Sequence, residues 1–293
     1  MEIRFDGRVA IVTGAGNGLG RAHAMGLASR GAKVVVNDLS LETAQKVADE
    51  INRQGGEAIA LAANVADVDQ VNQTVATALE KWGRIDILVN NAGILRDKTF
   101  AKMDMSDFRL IVDVHLMGSV YFSKAVWEIM RNQNYGRIVM TTSTSGIYGN
   151  FGQANYGAAK SGVVGLMNVL AIEGKKNDIR VNSLAPTAAT AMTQDLLSQE
   201  ALAQLAPELI TPGLLVLVSE NAPTGTILGA GAGCFAVSKM VESDGVFFEG
   251  NKLTPENIAA HFADIAQLPA TDTPLTAFDQ TSKYLKKGGL SPV

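Results

Sequence analysis

The chain has 293 residues, 47% of them hydrophobic and 18% charged, and a net charge of −4. That length and balance allow a substantial core, exclude a disordered chain and give no basis for nucleic acid as a partner. The single cysteine, Cys234, excludes an intrachain disulfide and any multi-cysteine metal site, so no metal is expected; it also fits a reducing compartment.

Short apolar runs alternate with helical patterns along the chain. Val9 to Thr13 reads as a buried strand, followed by a glycine-rich turn and a helix from about Leu19 to Ser29. Lys33 to Asn37 is a second strand, Leu41 to Gln54 a helix closed by Gly55 and Gly56, and Glu57 to Ala62 a third strand. Asp67 to Trp82 is the next helix, Ile85 to Val89 strand four, Asp107 to about Asn132 a long helix, and Arg137 to Thr142 strand five. Gln153 to Lys176 is helical, Arg180 to Leu184 is strand six, and Ile227 to Ala230 is an edge strand. This alternation implies an α/β fold with a doubly wound, Rossmann-type parallel sheet of about seven strands. Ligands of such sheets bind at the carboxyl ends of the strands.

Two segments stand apart. Residues 187–212 form an apolar insert with Met192, Leu196, Leu197, Leu202 and Leu205; it leaves the sheet directly after strand six and is read as a lid. From about Gly245 onward the chain reads as a helical extension. Thr254-Pro255 and Thr273-Pro274 are helix starts, a cap followed by proline in the first turn. Ile258, Phe262 and Ile265 form an apolar stripe after the first start, and Leu275, Phe278 and Leu285 follow the second. The expected division is a domain at 1–244, including the lid, and an extension at 245–293 packing on the core or a partner subunit. The charged start M-E-I-R-F-D-G-R-V is not a signal peptide, and no apolar run reaches membrane-spanning length. The ending S-P-V is not a peroxisomal address. A cytoplasmic protein without a membrane partner is the expectation.

T-G-A-G-N-G-L-G, Thr13 to Gly20, follows the first strand and opens a helix. Glycines at such a turn let the backbone approach a pyrophosphate, and the helix N-terminus offers it amides. Asp38 ends the second strand, where a carboxylate accepts hydrogen bonds from the adenosine ribose hydroxyls and repels a 2′-phosphate. Asn17 and Leu39 supply no arginine for that phosphate, so the sequence favours NAD over NADP.

Tyr156 and Lys160 stand at i and i+4 in Y-G-A-A-K, on one face of a helix, with Ser143 upstream at the end of strand five. An ammonium beside a phenol favours phenolate, which can take a proton from an alcohol. A drop of roughly 2–3 units from a phenol's ~10 is required for work near neutral pH, about 3–4 kcal/mol.

With these parts together, the chain resembles the short-chain dehydrogenase/reductase family. Thr13 to Gly20 matches its glycine loop, with Gly14, Asn17, Gly18, Leu19 and Gly20 at the cofactor; Asn90-Asn91-Ala92-Gly93 matches its N-N-A-G. Ser143, Tyr156 and Lys160 match its catalytic set, Pro186 the proline after strand six, and Thr190 the hydroxyl that meets the nicotinamide amide. Asn64-Val65 occupies the adenine-side D-V position, with Asn in place of Asp. His115, in V-D-V-H-L-M-G-S, takes the place of an asparagine that in many members helps hold a proton-relay water. It reads equally as a relay member or as a satisfied structural histidine.

A narrower similarity, in R-F-D-G-R-V, N-N-A-G-I-L-R-D, Q-N-Y-G-R-I and S-G-I-Y-G-N-F-G-Q-A-N-Y, is to the (3R)-hydroxyacyl-CoA dehydrogenase part of the type 2 peroxisomal multifunctional enzymes. The L-T-P-E-N-I tail is also similar to the segment that follows the dehydrogenase core there. The loop after Asp38 is shorter here, and no hydratase or sterol-carrier domain follows, so a stand-alone bacterial-type relative is the expectation. The resemblance implies oxidation of a secondary alcohol to a ketone. Tyr156 acts as base, Ser143 as hydrogen-bond donor to the substrate oxygen, and Lys160 as partner of both the phenol and the nicotinamide ribose. A (3R)-3-hydroxyacyl-CoA is the favoured substrate. Arg96, Lys98 and Lys102 are either CoA-phosphate contacts or a solvated basic stretch. A steroid or other hydrophobic alcohol is the alternative, and a non-catalytic NAD-binding regulator the reading from another class. The resemblance also implies a homodimer or homotetramer.

Overall fold

The protein is described by a computed structural model covering residues 2–187, 205–268 and 276–289. The chain divides into two compact units, Met1–Ser238 and Lys239–Val293. Among the described residues no helix is long and apolar enough to cross a membrane.

The first unit is built on one eight-stranded sheet. Its strands are β1 (Val9–Thr13), β2 (Lys33–Asp38), β3 (Glu57–Ala62), β4 (Ile87–Asn90), β5 (Gly136–Thr141), β6 (Ile179–Pro186), β7 (Ile227–Gly231) and β8 (Cys234–Ser238). They lie in the order β3-β2-β1-β4-β5-β6-β7-β8. β1 to β7 run parallel, and β8 returns antiparallel along β7. β1 is buried at all its positions, because helices cover both faces of the sheet. Ala10 and Val12 point to one core and Ile11 to the other, following the period of two along a strand.

One core is closed by α1 (Gly18–Ala28), α2 (Leu41–Arg53) and the helix Thr211–Leu217, through Leu27, Val47, Ile51 and Leu214. The other is closed by α3 (Val68–Trp82), α5 (Gly118–Gln133) and α7 (Ala154–Gly174), through Val75, Phe122, Val126, Val163 and Met167. Local chemistry sets the helix ends. The Ser40 hydroxyl accepts from the Thr43 amide to open α2, the Asp67 carboxylate accepts from the Asp69 and Gln70 amides to open α3, and Gly83, at φ 72°, closes α3 in the left-handed region.

Three features depart from the pattern read in the sequence. The long helix from about Asp107 is not uniform. α4 (Met105–Val112) passes through a π turn, Asp113–Met117, into α5. Buried positions Ile111, His115, Ser119, Phe122, Val126 and Met130 recur slightly less often than an α-helix would bring them round, and one wide turn absorbs the drift. β7 is not the edge of the sheet. A two-residue turn, Ala232 at φ 50° and Gly233 at φ 73°, folds β8 back beside it. In the second unit the Thr254 cap and Pro255 open a helix as read, whereas the helix Ala277–Lys287 opens on a capping box between Thr276 and Asp279. Thr273, Pro274 and Leu275 lie outside the described residues, as do residues 188–204 of the insert.

At the amino end of the sheet Arg137 is fully buried. Its Nε donates to the Ser219 carbonyl at 3.0 Å, and its terminal nitrogens donate to the carbonyls of Gly136, Asp178 and Glu220 and to the Asp178 carboxylate. The Tyr135 ring lies between two guanidiniums, Arg8 at 3.6 Å and Arg137 at 4.1 Å from its centroid. This knot ties β5 to the segments before β6 and β7, at the end of the sheet away from the strands' carboxyl edge.

Candidate active site

The strand order reverses direction between β1 and β4, so the helices that follow them leave on opposite faces and open a crevice at their carboxyl ends. A cavity of about 840 Å³ occupies that place. Gly14, Asn17, Gly18, Leu19, Gly20, Asp38, Asn64, Val65, Asn91, Ala92, Gly93, His115, Tyr156, Lys160 and Pro186 all line it. The fold thus brings together the sites read in the sequence, with two exceptions. Thr190 lies outside the described residues, and Ser143, at the end of β5, reaches the site through Tyr156 rather than through the cavity wall.

The loops after β1 and β4 are stitched to each other. The Thr13 hydroxyl accepts from the amides of Asn91 and Ala92 at 2.9 and 3.0 Å, and the Asn91 side chain donates to the carbonyls of Thr13 and Gly14. Gly14 has no room for a side chain, since a Cβ there would stand 2.8 Å from the Ala92 Cα. Gly18 has φ 51° and nothing within 4 Å of where a Cβ would sit, so its backbone faces open space at the start of α1. A backbone bared beside a helix N-terminus is suited to a pyrophosphate. The Asp38 carboxylate is aimed at this loop, accepting from the Gly16 amide at 2.9 Å and from the Ser40 amide at 3.3 Å. Gly16, which the sequence reading left unassigned inside the motif, must be small for that contact, because its Cβ would meet Asp38 and Thr43. Asn64 turns its side-chain carbonyl onto the Ala66 amide at 3.0 Å. The bared glycine loop and the presented Asp38 fit a dinucleotide, which Gly14 to Gly20, Asp38, Asn64, Val65 and Asn91 to Gly93 would hold.

At the other end of the cavity, Ser143 caps the short helix α6 (Thr144–Tyr148), its hydroxyl accepting from the Ser145 amide at 3.1 Å. The same hydroxyl stands near enough to the Tyr156 phenol to lower it. Tyr156 and Lys160 project from the first turns of α7. Lys160 is buried, and its ammonium donates to the Thr141 carbonyl at 2.5 Å and stands 5.6 Å from the Tyr156 ring centroid. Burial holds Lys160 down at about 7. Burial also pushes the Tyr156 phenol up; the Ser143 hydroxyl opposes that rise, and the Asp97 charge adds to it. The lowered phenol expected from the sequence is therefore not found in the chain alone. A buried phenol loses more hydration than the spacing of Tyr156 and Lys160 restores.

His115 comes from the π turn. Its Nε2 faces both backbone groups of Ile94, the carbonyl at 2.7 Å and the amide at 3.1 Å, and Nδ1 is buried with no partner among the described residues. The imidazole meets the Tyr156 ring edge-on, with 5.1 Å between centroids. Burial, and next the Lys160 charge, lower it to about 3. One ring nitrogen is therefore satisfied, as a structural histidine requires, and the other is buried beside Gly93 without a partner among the described residues. Of the three basic residues weighed for CoA, Arg96 approaches Asp107 at 3.9 Å, and Lys98 pairs with Asp104 at 2.8 Å and Asp107 at 3.5 Å. Those two face the carboxylates of α4 rather than forming a free basic patch.

Comparison with known proteins agrees with this geometry. Residues 8–201 match the short chain dehydrogenase family. The chain is 44% identical over 291 residues to peroxisomal multifunctional enzyme type 2 of Mus musculus, covering 95% of this chain and 39% of that protein. Full-length peroxisomal multifunctional enzyme type 2 of Drosophila melanogaster superposes with a TM-score of 0.83 at 36% identity, over 99% of this chain and 51% of that one. The chain thus spans well under two thirds of the length of these multifunctional relatives. A 7α-hydroxysteroid dehydrogenase complexed with NADH and 7-oxo glycochenodeoxycholic acid superposes with a TM-score of 0.73 at 32% identity, over 78% of this chain and 95% of that one. The glycine loop, the Ser143–Tyr156–Lys160 cluster and the match over residues 8–201 lead to one conclusion: the chain belongs to the short-chain dehydrogenase family, and is an oxidoreductase of CH–OH groups working with a nicotinamide cofactor.

Proposed function

We propose that the chain oxidises a (3R)-3-hydroxyacyl-CoA to the 3-oxoacyl-CoA with NAD. The observation that carries the reaction is the cluster at the end of the cavity, where the Ser143 hydroxyl lowers the buried Tyr156 phenol and the Lys160 ammonium stands 5.6 Å from its ring centroid. Tyr156 takes the alcohol proton, Ser143 donates to the alcohol oxygen and fixes its place, and Lys160 supplies the positive charge that offsets a buried phenolate. A nicotinamide held in the cavity supplies the hydride acceptor and, in its oxidised form, a second positive charge. His115 takes the role of a neutral partner to the site, packed edge-on against the Tyr156 ring. The Asp38 carboxylate at the glycine loop supports NAD over NADP.

The acyl-CoA substrate is supported by the sequence runs shared with the hydroxyacyl-CoA branch and by the likeness to the multifunctional enzymes. The apolar wall of Ile94, Leu95 and Val114 suits an acyl chain, and the segment 187–212 is its proposed lid. A hydrophobic alcohol such as a steroid is the second reading, favoured by the likeness to the hydroxysteroid dehydrogenase. A cytoplasmic homodimer or homotetramer completes the proposal. It is supported by α7, which carries exposed Val169 and Ile172 opposite its buried face, and by exposed Phe262 and Tyr284 in the extension from residue 245.

The test is cofactor reduction followed with (3R)- and (3S)-3-hydroxyacyl-CoAs of several lengths, with NAD and NADP in parallel. Faster turnover of the (3R) series with NAD is expected. Preference for the (3S) series, or turnover of a steroid alone, removes the substrate; preference for NADP removes the cofactor assignment.

A further inference from the structure

The catalytic motif absorbs Tyr156 and Lys160 but leaves Gln153 unexplained, although its side chain is hydrogen-bonded to Ser145, Asn150 and Asp97. It stands at the N-cap of α7, where its carbonyl accepts from the Gly157 amide at 2.7 Å. Its side-chain oxygen accepts from the Ser145 hydroxyl at 2.7 Å and from the Asn150 amide at 3.1 Å. Its side-chain amide donates to the Asp97 carboxylate at 2.7 Å. One residue therefore joins three segments: the turn after β5, the loop leading into α7, and the loop after β4.

The backbone is shaped for this clasp. Gly149 and Gly152 both take positive φ, 80° and 81°, so the loop doubles back and brings Gln153 against Ser145. Lys98 and Gln153 form an isolated parallel bridge, with the Lys98 amide donating to the Gly152 carbonyl at 3.0 Å. Asn155, fully buried, adds a second strap by donating to the Arg96 carbonyl at 3.0 Å. The consequence lies in who is next to whom. Ser145 donates its amide to the Ser143 hydroxyl and its own hydroxyl to Gln153. Gln153 in turn starts the helical turn that carries Tyr156. The two groups that must meet one alcohol oxygen are thus linked through a single side chain.

We propose that Gln153 is a positioning residue, clasped by Asp97, that sets the separation of the Ser143 hydroxyl and the Tyr156 phenol. The inference rests on the roles proposed above for those two residues, but not on the identity of the substrate. Its assay therefore uses whichever alcohol the unaltered chain oxidises fastest, so loss of the acyl-CoA reading leaves the test intact.

Gln153→Leu keeps the size of the side chain and removes its hydrogen bonds. The expected result is a kcat about 10- to 100-fold lower, as displaced reacting groups give, with the KM for the alcohol and the Kd for NAD nearly unchanged. Gln153→Glu keeps the acceptor for Ser145 and Asn150 but sets a carboxylate against Asp97, and should lose kcat similarly. Combining Gln153→Glu with Asp97→Asn restores a donor–acceptor pair across the clasp and should recover most of the lost kcat. That recovery is not expected of a residue that merely supports folding. If Gln153→Leu does not fold, the Gln153→Glu pair decides the matter alone. A kcat within twofold of the unaltered chain in Gln153→Leu, or no recovery in the paired exchange, overturns the proposal.

Discussion

His115 holds its imidazole over Gly93, so closely that a Cβ at position 93 would stand 2.4 Å from the ring's Cε1 and 3.0 Å from Nδ1. The N-N-A-G glycine is therefore fixed by the histidine of another element and not by its own backbone angle. Gly93→Ala should push the ring off Tyr156 and destabilise the fold by ~1–3 kcal/mol, as overpacking does. Pairing it with His115→Ala should return much of that stability. Thermal unfolding of the two variants measures the difference.

The phenol makes the oxidation pH-dependent. Burial raises Tyr156 above its ordinary value, and in the proposed reaction the phenolate is the form that accepts the proton. The oxidation rate should therefore climb with pH through the phenol's titration. Ser143 from the end of β5 and Asp97 from the loop after β4 bear on that titration, and Lys160 on the same helix and His115 from the π turn stand against the ring. His115, neutral down to about 3, adds no limb of its own. Asp97→Asn removes the charge that opposes phenolate, so the rising limb should move to lower pH. Tyr156→Phe should lose ~10²–10⁴-fold in kcat while still binding NAD, which kcat and fluorescence titration check together.

The burial of Lys160 costs stability. Its folded value of about 7 lies below the ordinary 10.5, so the folded chain binds fewer protons than the unfolded one between those values. Stability from this group therefore rises with pH across that window, and below about 7 the penalty is complete. Lys160→Met should unfold about 2–4 °C higher at pH 7, what ~1 kcal/mol gives a domain of this size. The gain should shrink as pH approaches 10.5, and turnover should be lost. Scanning calorimetry at several pH values reads both the sign and the window.

Asp38 sets the cofactor preference if its carboxylate faces the adenosine ribose. A like charge at 4 Å with an effective dielectric near 20 is worth ~4 kcal/mol. Asp38→Ala together with Leu39→Arg should lower the NAD:NADP ratio of kcat/KM by ~100-fold or more.

Arg137 is the opposite case, a buried charge with no part in the chemistry. Arg137→Met strips the donor from the carbonyls of Ser219, Glu220, Gly136 and Asp178. The loss should be ~3–5 kcal/mol. The KM for NAD should stay unchanged at low temperature, where the variant is still folded.

Much of this was legible in the sequence because it rests on local rules. Short apolar runs gave β1 and β2, helical patterning gave α2 and α3, and the glycine loop declared its own turn. β8 escaped because its side chains are largely exposed and its pairing depends on an Ala-Gly turn in an unusual conformation. The π turn escaped because a regular pattern was drawn through it. The Gln153 clasp escaped because hydrogen bonds between loops leave no period in the chain. The raised phenol was misjudged because spacing reports neighbours and not the loss of water.

The π turn also sets a limit on change. A helix that carries one residue in excess can lose one and become more regular. Deleting Val114 would draw α4 and α5 into a single even helix, a gain for the helix itself. The same deletion would swing position 115 away from Tyr156 and uncover Gly93. The irregularity is therefore a point where length variation in this segment is read out at the active site, and where a shorter relative must find another neighbour for its tyrosine.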